Sequence, residues 1–177
     1  MGFASLGEHV LIDDSVKLFG ASRIHLGDHV RIDAYSVLSA SAEGLVVGQH
    51  VHISCHVTIL GQGRVELGDF CGLSSKVSIF SSNDDYSGMS LTGPTVPESY
   101  RSVHTDAVVV GKHVVVGAHS VVLPGVTLGE GSSAGAFALV KRDVEPFSIV
   151  VGQPARPVGK RSESLRELEQ KFLATKA

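Results

Sequence analysis

The segment VVVGKHVVVGAHSVVLPGVTLGEGSSAGAFALV (residues 108–140) decides the fold, because one pattern recurs in it every six residues. An apolar residue stands at each sixth position, namely at Val110, Val116, Val122, Leu128, Ala134 and Val140. A period of six is neither the 3.6-residue period of a helix nor the alternation of a plain strand. The pattern predicts short parallel strands joined by tight turns, with each periodic residue pointing inward and stacking on its equivalent one coil away.

The same pattern extends over most of the chain. A unit of an aliphatic residue followed by glycine occurs at spacings of 20, 21, 20, 43 and 18 residues, beginning at Leu6, Leu26, Val47, Leu67, Val110 and Leu128. The long spacing contains residues 81–107, which have no such periodicity and are rich in Ser, Gly, Pro and Thr. Long loops in compact folds are often functional, so we expect this excursion to take part in the site.

The composition fits a narrow prism of small residues. The 177 residues include 20 Gly and 7 Phe but no Trp, and 43% of them are hydrophobic. The hydrophobic fraction is too high for a disordered chain, and the abundance of glycine and other small residues excludes a coiled coil. One domain is expected at this length.

The charge is uneven along the chain. Residues 1–155 carry 9 Lys or Arg against 15 Asp or Glu, whereas residues 156–177 carry 6 against 3. An acidic body argues against nucleic acid as a partner. The basic tail suits either a small anion or a solvated helix face.

The end of the chain is predicted to be an amphipathic helix over residues 162–177. Ser164 and Glu167 have the spacing of a capping box at its start. One apolar face is formed by Leu165, Leu168, Phe172 and Leu173.

Two features bear on the compartment. Cys55 and Cys71 are isolated in the sequence, so neither a disulfide framework nor a thiolate metal site is expected. The N-terminal segment lacks the pattern of a signal peptide, and the apolar runs are too short to span a membrane. We therefore expect a cytoplasmic location without membrane insertion.

The repeat resembles that of the hexapeptide-repeat family over about residues 6–158. The resemblance implies an all-β solenoid, a left-handed parallel β-helix with one long excursion loop and a C-terminal α-helix. The β-helix domain would cover residues 1–161, with the loop inserted at 81–107 and the helix at 162–177. Most members of the family are acyltransferases that act as homotrimers, with active sites between neighbouring subunits.

The stretch from residue 108 to residue 161 closely resembles the C-terminal coils of bacterial sugar O-acetyltransferases, including galactoside, maltose, capsule and O-antigen enzymes. The resemblance implies acetyl-CoA as the acyl donor and no metal. The residues it assigns to CoA are Ala118, Ala136, Lys141, Arg142, Arg156 and Arg161, with Lys160 nearby. Backbone groups at the small corners can bond pantetheine amides, and the cations can bond phosphates. A solvated basic face remains the alternative for these cations.

The acceptor side departs from that pattern. Asp84 stands where those enzymes carry a histidine that acts as general base, and Val115 replaces an aromatic residue near the thioester. The loop DDYSGMSLTGPTVPESY resembles a subgroup of capsule and lipopolysaccharide sugar acetyltransferases. The resemblance and the order of residues along the chain make His113, Asp84 and Asp85 the candidate catalytic residues, with His104 as a weaker candidate. The residues raised as acceptor contacts are His52, Ser54, Asn83 and Tyr86.

We therefore expect transfer of an acetyl group to a sugar hydroxyl in the biosynthesis of polysaccharide, lipopolysaccharide or capsule precursors. The alternative is N-acetylation of an amino sugar or nucleotide sugar, because a neutral amine needs a base far less than a hydroxyl does. A zinc enzyme resembling γ-class carbonic anhydrases, with ligands from His50, His52 and His56, and a non-catalytic scaffold are further alternatives. The four histidines at one repeat position, among them His9 and His29, are interpreted as suiting one corner of the coil.

Overall fold

The computed structural model describes residues 2–175, which fold as a parallel β-solenoid of about seven coils followed by one helix. The strands are β1 (Ser5–Leu6), β2 (Leu11–Ile12), β3 (Lys17–Phe19), β4 (Ile24–Leu26), β5 (Arg31–Ile32), β6 (Val37–Ser39), β7 (Leu45–Val47), β8 (His52–Ile53), β9 (Thr58–Leu60), β10 (Val65–Leu67), β11 (Gly72–Leu73), β12 (Ser78–Phe80), β13 (Ser82–Asp84), β14 (Val103–Thr105), β15 (Val108–Val110), β16 (Val115–Val116), β17 (Val121–Val122), β18 (Thr127–Leu128), β19 (Ser133–Ala134), β20 (Leu139–Val140), β21 (Ser148–Val151) and β22 (Arg156–Lys160). The helix α1 is Leu165–Ala174, and short 3₁₀ turns lie at Ala21–Arg23 and Glu98–Tyr100.

Successive strands of six coils pass to three different sheets, so that each of these coils contributes one strand to each face of a triangular prism. The hairpin strands β13 and β14 form a separate sheet, and the last two strands both join sheet B. Sheet A consists of β1, β4, β7, β10, β15 and β18. Sheet B consists of β2, β5, β8, β11, β16, β19, β21 and β22. Sheet C consists of β3, β6, β9, β12, β17 and β20. The predicted left-handed β-helix of hexapeptide repeats is confirmed.

The interior follows the six-residue repeat. The inward residues stack in register from coil to coil, and Leu67 lies opposite both Val47 and Val110. These three side chains are at most 2% exposed. Because each inward residue stacks on its equivalents above and below, burial of apolar surface stabilises the packing of neighbouring coils on each other.

Small buried residues at the corners join the coils by hydrogen bonds. The Ser120 hydroxyl donates to the carbonyl of Gly135 at 2.9 Å and accepts from the backbone N–H of Ala138 at 3.1 Å. In the same way, the Ser36 hydroxyl donates to the carbonyl of Ser54 at 2.9 Å and accepts from the backbone N–H of Val57 at 3.2 Å, both in the next coil. A hydroxyl therefore satisfies two buried backbone groups in a space too small for a larger side chain.

The corner between sheets A and B carries a stack of rings, here named the corner ladder: His9, His29, His50, Phe70 and His113. Their backbones are all left-handed, with φ between 55° and 60°, and successive ring centroids are 4.6 to 5.2 Å apart. A left-handed backbone costs a non-glycine residue about 1–2 kcal/mol, and ring stacking offsets part of that cost. The interpretation of the repeated histidines as corner residues is confirmed.

The C-terminal helix packs against this ladder. The ring of Phe172 meets His50 edge-on at 5.2 Å and Phe70 at 6.0 Å. Glu169 accepts hydrogen bonds from Lys112 Nζ at 2.5 Å and from His113 Nε2 at 2.9 Å. Arg166 adds a third attachment, because its guanidinium donates to Glu130 at 3.0 and 3.1 Å and lies over the ring of Phe147. The helix is therefore attached to the solenoid through an aromatic, an acidic and a basic side chain.

Details of the helix differ from the sequence prediction. It occupies Leu165–Ala174, and residues 176–177 of the predicted 162–177 lie outside the described residues. The capping box is wrong, because Ser164 has a helical backbone and makes no side-chain cap. Its backbone N–H instead bonds the hydroxyl of Ser162 at 3.2 Å. Within residues 2–175, the helix is neither long nor apolar enough to cross a membrane.

The excursion at residues 81–107 begins as an antiparallel hairpin of β13 and β14. It leaves the solenoid after a strand of sheet C and returns before a strand of sheet A. Ser81 Oγ donates to Gly63 O at 2.9 Å, and Thr105 Oγ1 donates to Gln62 Oε1 at 3.5 Å. The base of the hairpin is therefore held on the corner between sheets C and A.

Candidate functional site

The outer face of sheet B has a cavity of about 440 Å³ in its central coils. Its lining is His52, Ser54, Gly72, Leu73, Ser74, Ser75, Val115 and Ala118. We name this the sheet-B cavity. It brings together two predicted acceptor contacts, His52 and Ser54, with one predicted CoA contact, Ala118.

His52 is held at the edge of the sheet-B cavity by a carboxylate from the preceding coil. Its Nε2 lies 2.7 Å from Asp33 Oδ2, while Arg31 Nε donates to Asp33 Oδ1 at 2.7 Å. The hydrogen bond from His52, followed by that from Arg31, lowers the pKa of Asp33 below its ordinary value. The other ring nitrogen, Nδ1, has no hydrogen-bond partner among residues 2–175. Asp33 therefore orients the imidazole and leaves one nitrogen for a ligand.

Hydroxyl groups line the neighbouring part of the cavity. The hydroxyls of Ser54 and Ser75 are 3.0 Å apart, and the thiol of Cys55 donates to Ser75 Oγ at 3.2 Å. Ser74 is half-buried beside them. Hydroxyls both donate and accept, so this row can bond either a carbonyl oxygen or a polar hydrogen of a ligand.

A second cavity, of about 340 Å³, lies near the C-terminal end of the solenoid. Lys141, Arg142 and Arg156 all line it, together with two acidic residues, Asp143 and Glu145, and with apolar side chains such as Val140 and Val144. Neither Lys141 nor Arg142 pairs with a carboxylate in the described part of the chain. This cluster, named here the cation cavity, therefore has unpaired positive charge beside apolar surface.

Two basic residues predicted to lie at or near the CoA site are engaged elsewhere. Arg161 Nη1 donates to the carbonyls of His113 and Gly131 at 2.9 Å each and to that of Ser132 at 3.2 Å. Lys160 Nζ bonds Pro146 O at 3.2 Å and Ser148 Oγ at 2.9 Å. Because its guanidinium joins three backbone carbonyls at the corner between sheets A and B, we remove Arg161 from the predicted CoA contacts.

The acidic residues of the excursion have different surroundings. Asp85 accepts from the backbone N–H of Ser87 at 2.8 Å and of Ser90 at 2.9 Å. Its pKa is lowered by hydrogen bonds, chiefly from Ser87. The carboxylate of Asp84 is half-buried and has no bonding partner within residues 2–175. Asp85 therefore shapes the loop, and Asp84 is available to a ligand.

The other loop candidates lie apart from the solenoid surface. Asn83 is paired with His104 across the hairpin, and Tyr86 is 91% exposed. The hairpin starts at the corner between sheets C and A, which is the corner opposite the face of sheet B in a triangular prism. One chain alone therefore does not bring these residues or Asp84 to the sheet-B cavity.

His113 does not face the excursion loop. It is 8% exposed, stacks on Phe70 and bonds Glu169, all at the corner between sheets A and B. The expectation that it approaches the loop as general base is therefore corrected: its ring belongs to the corner ladder and anchors the helix.

The histidines considered as zinc ligands diverge. His50 lies in the corner ladder, His52 points outward from sheet B, and His56 stacks on Tyr35 at 5.1 Å at another corner. No group of three His, Cys, Asp or Glu side chains within residues 2–175 is arranged to hold a metal ion.

Sequence reasoning missed Asp33, Gly72, Ser74 and Ser75. The coil register could have found Asp33, because the segments RID (31–33) and HIS (52–54) occupy equivalent positions in adjacent coils. Aligning every coil on its aliphatic residue, rather than scanning for single motifs, places the outward residues of one face side by side.

A hexapeptide-repeat prism with a cavity lined by histidine and serine on one face and a cation cavity farther along fits the class of acyl-CoA-dependent acyltransferases, to which its relatives belong. The chain belongs to the hexapeptide-repeat acyltransferase family, since it is 44% identical over 172 residues to dTDP-4-amino-4,6-dideoxy-D-glucose acyltransferase of Escherichia coli, covering 97% of this chain and 90% of that protein. No family model matches the chain.

Two solved structures share the fold. A serine variant of AntD, an N-acyltransferase from Bacillus cereus in complex with dTDP-4-amino-4,6-dideoxyglucose and coenzyme A, is 36% identical with a TM-score of 0.95 over 99% of this chain and 92% of that chain. A hexapeptide-repeat acetyltransferase from Vibrio cholerae complexed with acetyl-CoA is 20% identical, with a TM-score of 0.59 over 91% and 73% of the two chains.

Proposed function

We propose that this protein transfers an acyl group from an acyl-CoA, acetyl-CoA among them, to the 4-amino group of a dTDP-4-amino-4,6-dideoxyhexose. The observation that carries the proposal is the near full-length likeness to two enzymes whose names or ligands specify that amino sugar. The alternative of N-acylation thus replaces the initial expectation of a sugar hydroxyl as acceptor. A role in lipopolysaccharide or capsule precursors stays a prediction.

The acidic residues of the loop also favour an amine as acceptor. Asp84 is a half-buried carboxylate at the position where sugar O-acetyltransferases are expected to carry histidine. A carboxylate binds an amino group through a charge-assisted hydrogen bond, but it is a weak base toward a hydroxyl. We assign Asp84 to holding the amino group and His52 to receiving a proton at Nδ1.

The reaction is a direct transfer. The amine lone pair attacks the thioester carbonyl carbon, the new C–N bond forms, and the C–S bond breaks. His52, held at Nε2 by Asp33, takes the proton lost by the nitrogen and passes it to the departing CoA thiolate. Ser74 and Ser75 line the same cavity, and we assign their hydroxyls to donating to the oxyanion of the tetrahedral intermediate.

A spacing in a relative supports these loop and strand assignments. Structures of AntD include variants of a serine and of an aspartate ten residues farther along its chain. The same ten-residue spacing separates Ser74 from Asp84 and Ser75 from Asp85. We assign the functional roles to Ser74 and Asp84, because the carboxylate of Asp85 already accepts hydrogen bonds from the backbone N–H groups of Ser87 and Ser90.

The complete site requires a second copy of the chain. The sheet-B cavity and Asp84 lie on opposite sides of one prism, so the hairpin of one subunit must cover sheet B of its neighbour. We propose that the copies form a closed ring, in which every subunit gives a hairpin to one neighbour and receives one from another. The resemblance to the hexapeptide-repeat family favours three subunits in this ring, and thus a homotrimer with three sites.

The donor is assigned to both cavities. Lys141, Arg142 and Arg156 supply cations for the phosphates of CoA. The backbone at Ala118 and Ala136, at the corners between sheets B and C, bonds the pantetheine amides. This arrangement directs the thioester toward the sheet-B cavity, which holds His52 and the serines.

The test is transfer from acetyl-CoA to dTDP-4-amino-4,6-dideoxyglucose, followed by thiol release and by the mass of the nucleotide sugar. We expect one acyl addition to the amino sugar and none to dTDP-glucose, which presents only hydroxyls. Asp84→Asn and His52→Ala should each lower kcat at least about 100-fold. Equal transfer to both nucleotide sugars, or no transfer to the amino sugar, would contradict the proposal.

A further inference from the structure

The outer surface of sheet B carries one outward side chain per coil, and these form a column. In register, the column is Leu11, Arg31, His52, Gly72, Val115, Ser133 and Ile149. Gly72 is the only member of this column without a side chain. It lies in the sheet-B cavity, with His52 one coil below and Val115 one coil above.

The fold does not require glycine at this position. The glycines that follow the aliphatic anchors are confined, since a Cβ on Gly48 would lie 2.3 Å from Asp69 Oδ1 and one on Gly68 would lie 2.6 Å from Lys112 N. A Cβ on Gly72 meets no atom within 4 Å, and its backbone does not have a positive φ. Glycine weakens a strand interior, and where structure does not demand it, it often marks the close approach of a ligand.

The missing side chain leaves a gap of definite size. Adjacent strands are about 4.8 Å apart, so the backbones that carry His52 and Val115 are separated by roughly 10 Å across Gly72. The side chain of Val115 is 40% exposed and provides an apolar wall. The hydroxyls of Ser54 and Ser75 lie in the same cavity. The gap therefore has the width of one aliphatic chain, with an apolar and a polar side.

We propose that Gly72 admits the acyl chain of the donor, so that the enzyme accepts acyl groups longer than acetyl, such as butyryl. The inference rests on the proposed function, which brings the thioester to the sheet-B cavity. The acyl chain extends over Gly72 between His52 and Val115, and a side chain at position 72 would occupy its path.

The experiment compares kcat/KM for acetyl-CoA and butyryl-CoA, with dTDP-4-amino-4,6-dideoxyglucose as acceptor. We expect the wild-type protein to use the two donors within about tenfold of each other. Gly72→Val should lower the value for butyryl-CoA at least about tenfold more than that for acetyl-CoA, and Gly72→Ala should have a smaller effect of the same kind. Ser78→Val puts the same side chain on the outer face of sheet C in the same coil and should leave the donor ratio unchanged.

Each contrary result has a separate meaning. A wild-type protein that uses acetyl-CoA but discriminates more than about 100-fold against butyryl-CoA would overturn this inference and leave the proposed function intact. An unchanged donor ratio in Gly72→Val would do the same. If Gly72→Val loses both donors equally and its assembly dissociates on a sizing column, a partner subunit fills the gap and the inference is wrong. If neither donor acylates the amino sugar, the proposed function fails as well.

Discussion

Replacing Arg161 tests whether this basic residue of the tail stabilises the fold or binds CoA. Its Nη1 has two hydrogens to share among the carbonyls of His113, Gly131 and Ser132. A hydrogen bond from a charged donor contributes about 1.5–3 kcal/mol, and the half-buried guanidinium places each of two such bonds at the low end of that range. Arg161→Ala should therefore lower the free energy of unfolding by about 3 kcal/mol.

The corresponding shift in melting temperature is large enough to measure. At this chain length about 1 kcal/mol corresponds to a change of 2–4 °C, so we expect Arg161→Ala to melt roughly 6–12 °C below the wild-type protein. Melting should be followed by circular dichroism at one fixed protein concentration, with and without millimolar CoA. The rise in melting temperature that CoA produces should be the same in the variant as in the wild-type protein.

The opposite pattern would refute the structural assignment. If Arg161→Ala melts within about 1 °C of the wild-type protein but is no longer stabilised by CoA, Arg161 is a CoA ligand. Arg142→Ala is the matched control, because Arg142 is an exposed arginine of the cation cavity without a carboxylate partner in residues 2–175. It should keep the melting temperature of the free protein.

Three further outcomes are expected. Arg142→Ala and Arg156→Ala should each weaken CoA binding about 5- to 30-fold, as measured by titration calorimetry, and this loss should shrink at high salt because exposed charges are screened. Glu169→Gln should destabilise the protein at neutral pH, since the hydrogen bonds from Lys112 and His113 outweigh burial and hold the pKa of that carboxyl below its ordinary 4.5. The loss of stability should shrink as the pH falls below 4.5 and through the lowered pKa of Glu169, because the carboxyl is then protonated and neither protein carries a charge there. The measurement is the free energy of chemical unfolding of both proteins at several pH values. A difference between the two proteins that does not change with pH would contradict a contribution from the ion pairs. Gly111→Ala should destabilise by about 2 kcal/mol or more, because its Cβ would lie 2.8 Å from the carbonyl oxygen of Leu128 in the next coil; a melting temperature equal to that of the wild-type protein would contradict this.

The fold was accessible from the sequence because each coil repeats the same physical requirement. An inward aliphatic residue such as Val116, followed four positions later by a small residue such as Ser120, specifies a strand and a tight corner. The left-handed backbone of His29 and His50 was not visible in advance, but their repetition at one coil position indicated a shared role. Local rules at every coil therefore sufficed to predict the prism.

The site was predictable only in part, because its residues come from separate coils. His52, Ser54 and Ala118 were found through resemblance, and they do share a cavity. Asp33 was missed, because it contacts the site through one hydrogen bond to His52 of the adjacent coil and belongs to no sequence motif. Arg161 was assigned to CoA through the resemblance, yet its Nη1 donates to backbone carbonyls at a corner of the solenoid.

The place where the excursion is inserted has a consequence for how the chain folds. Successive coils elsewhere join residues about 20 positions apart, and the pairing of Leu67 with Val110 spans 43. Closing a loop of that length instead of 20 residues costs only about 0.7 kcal/mol more chain entropy, because the penalty grows with the logarithm of length. The coils before and after the excursion can then each assemble by local pairing, with one slower joining step between them. A solenoid corner is therefore a position where a long segment can be inserted with little loss of stability.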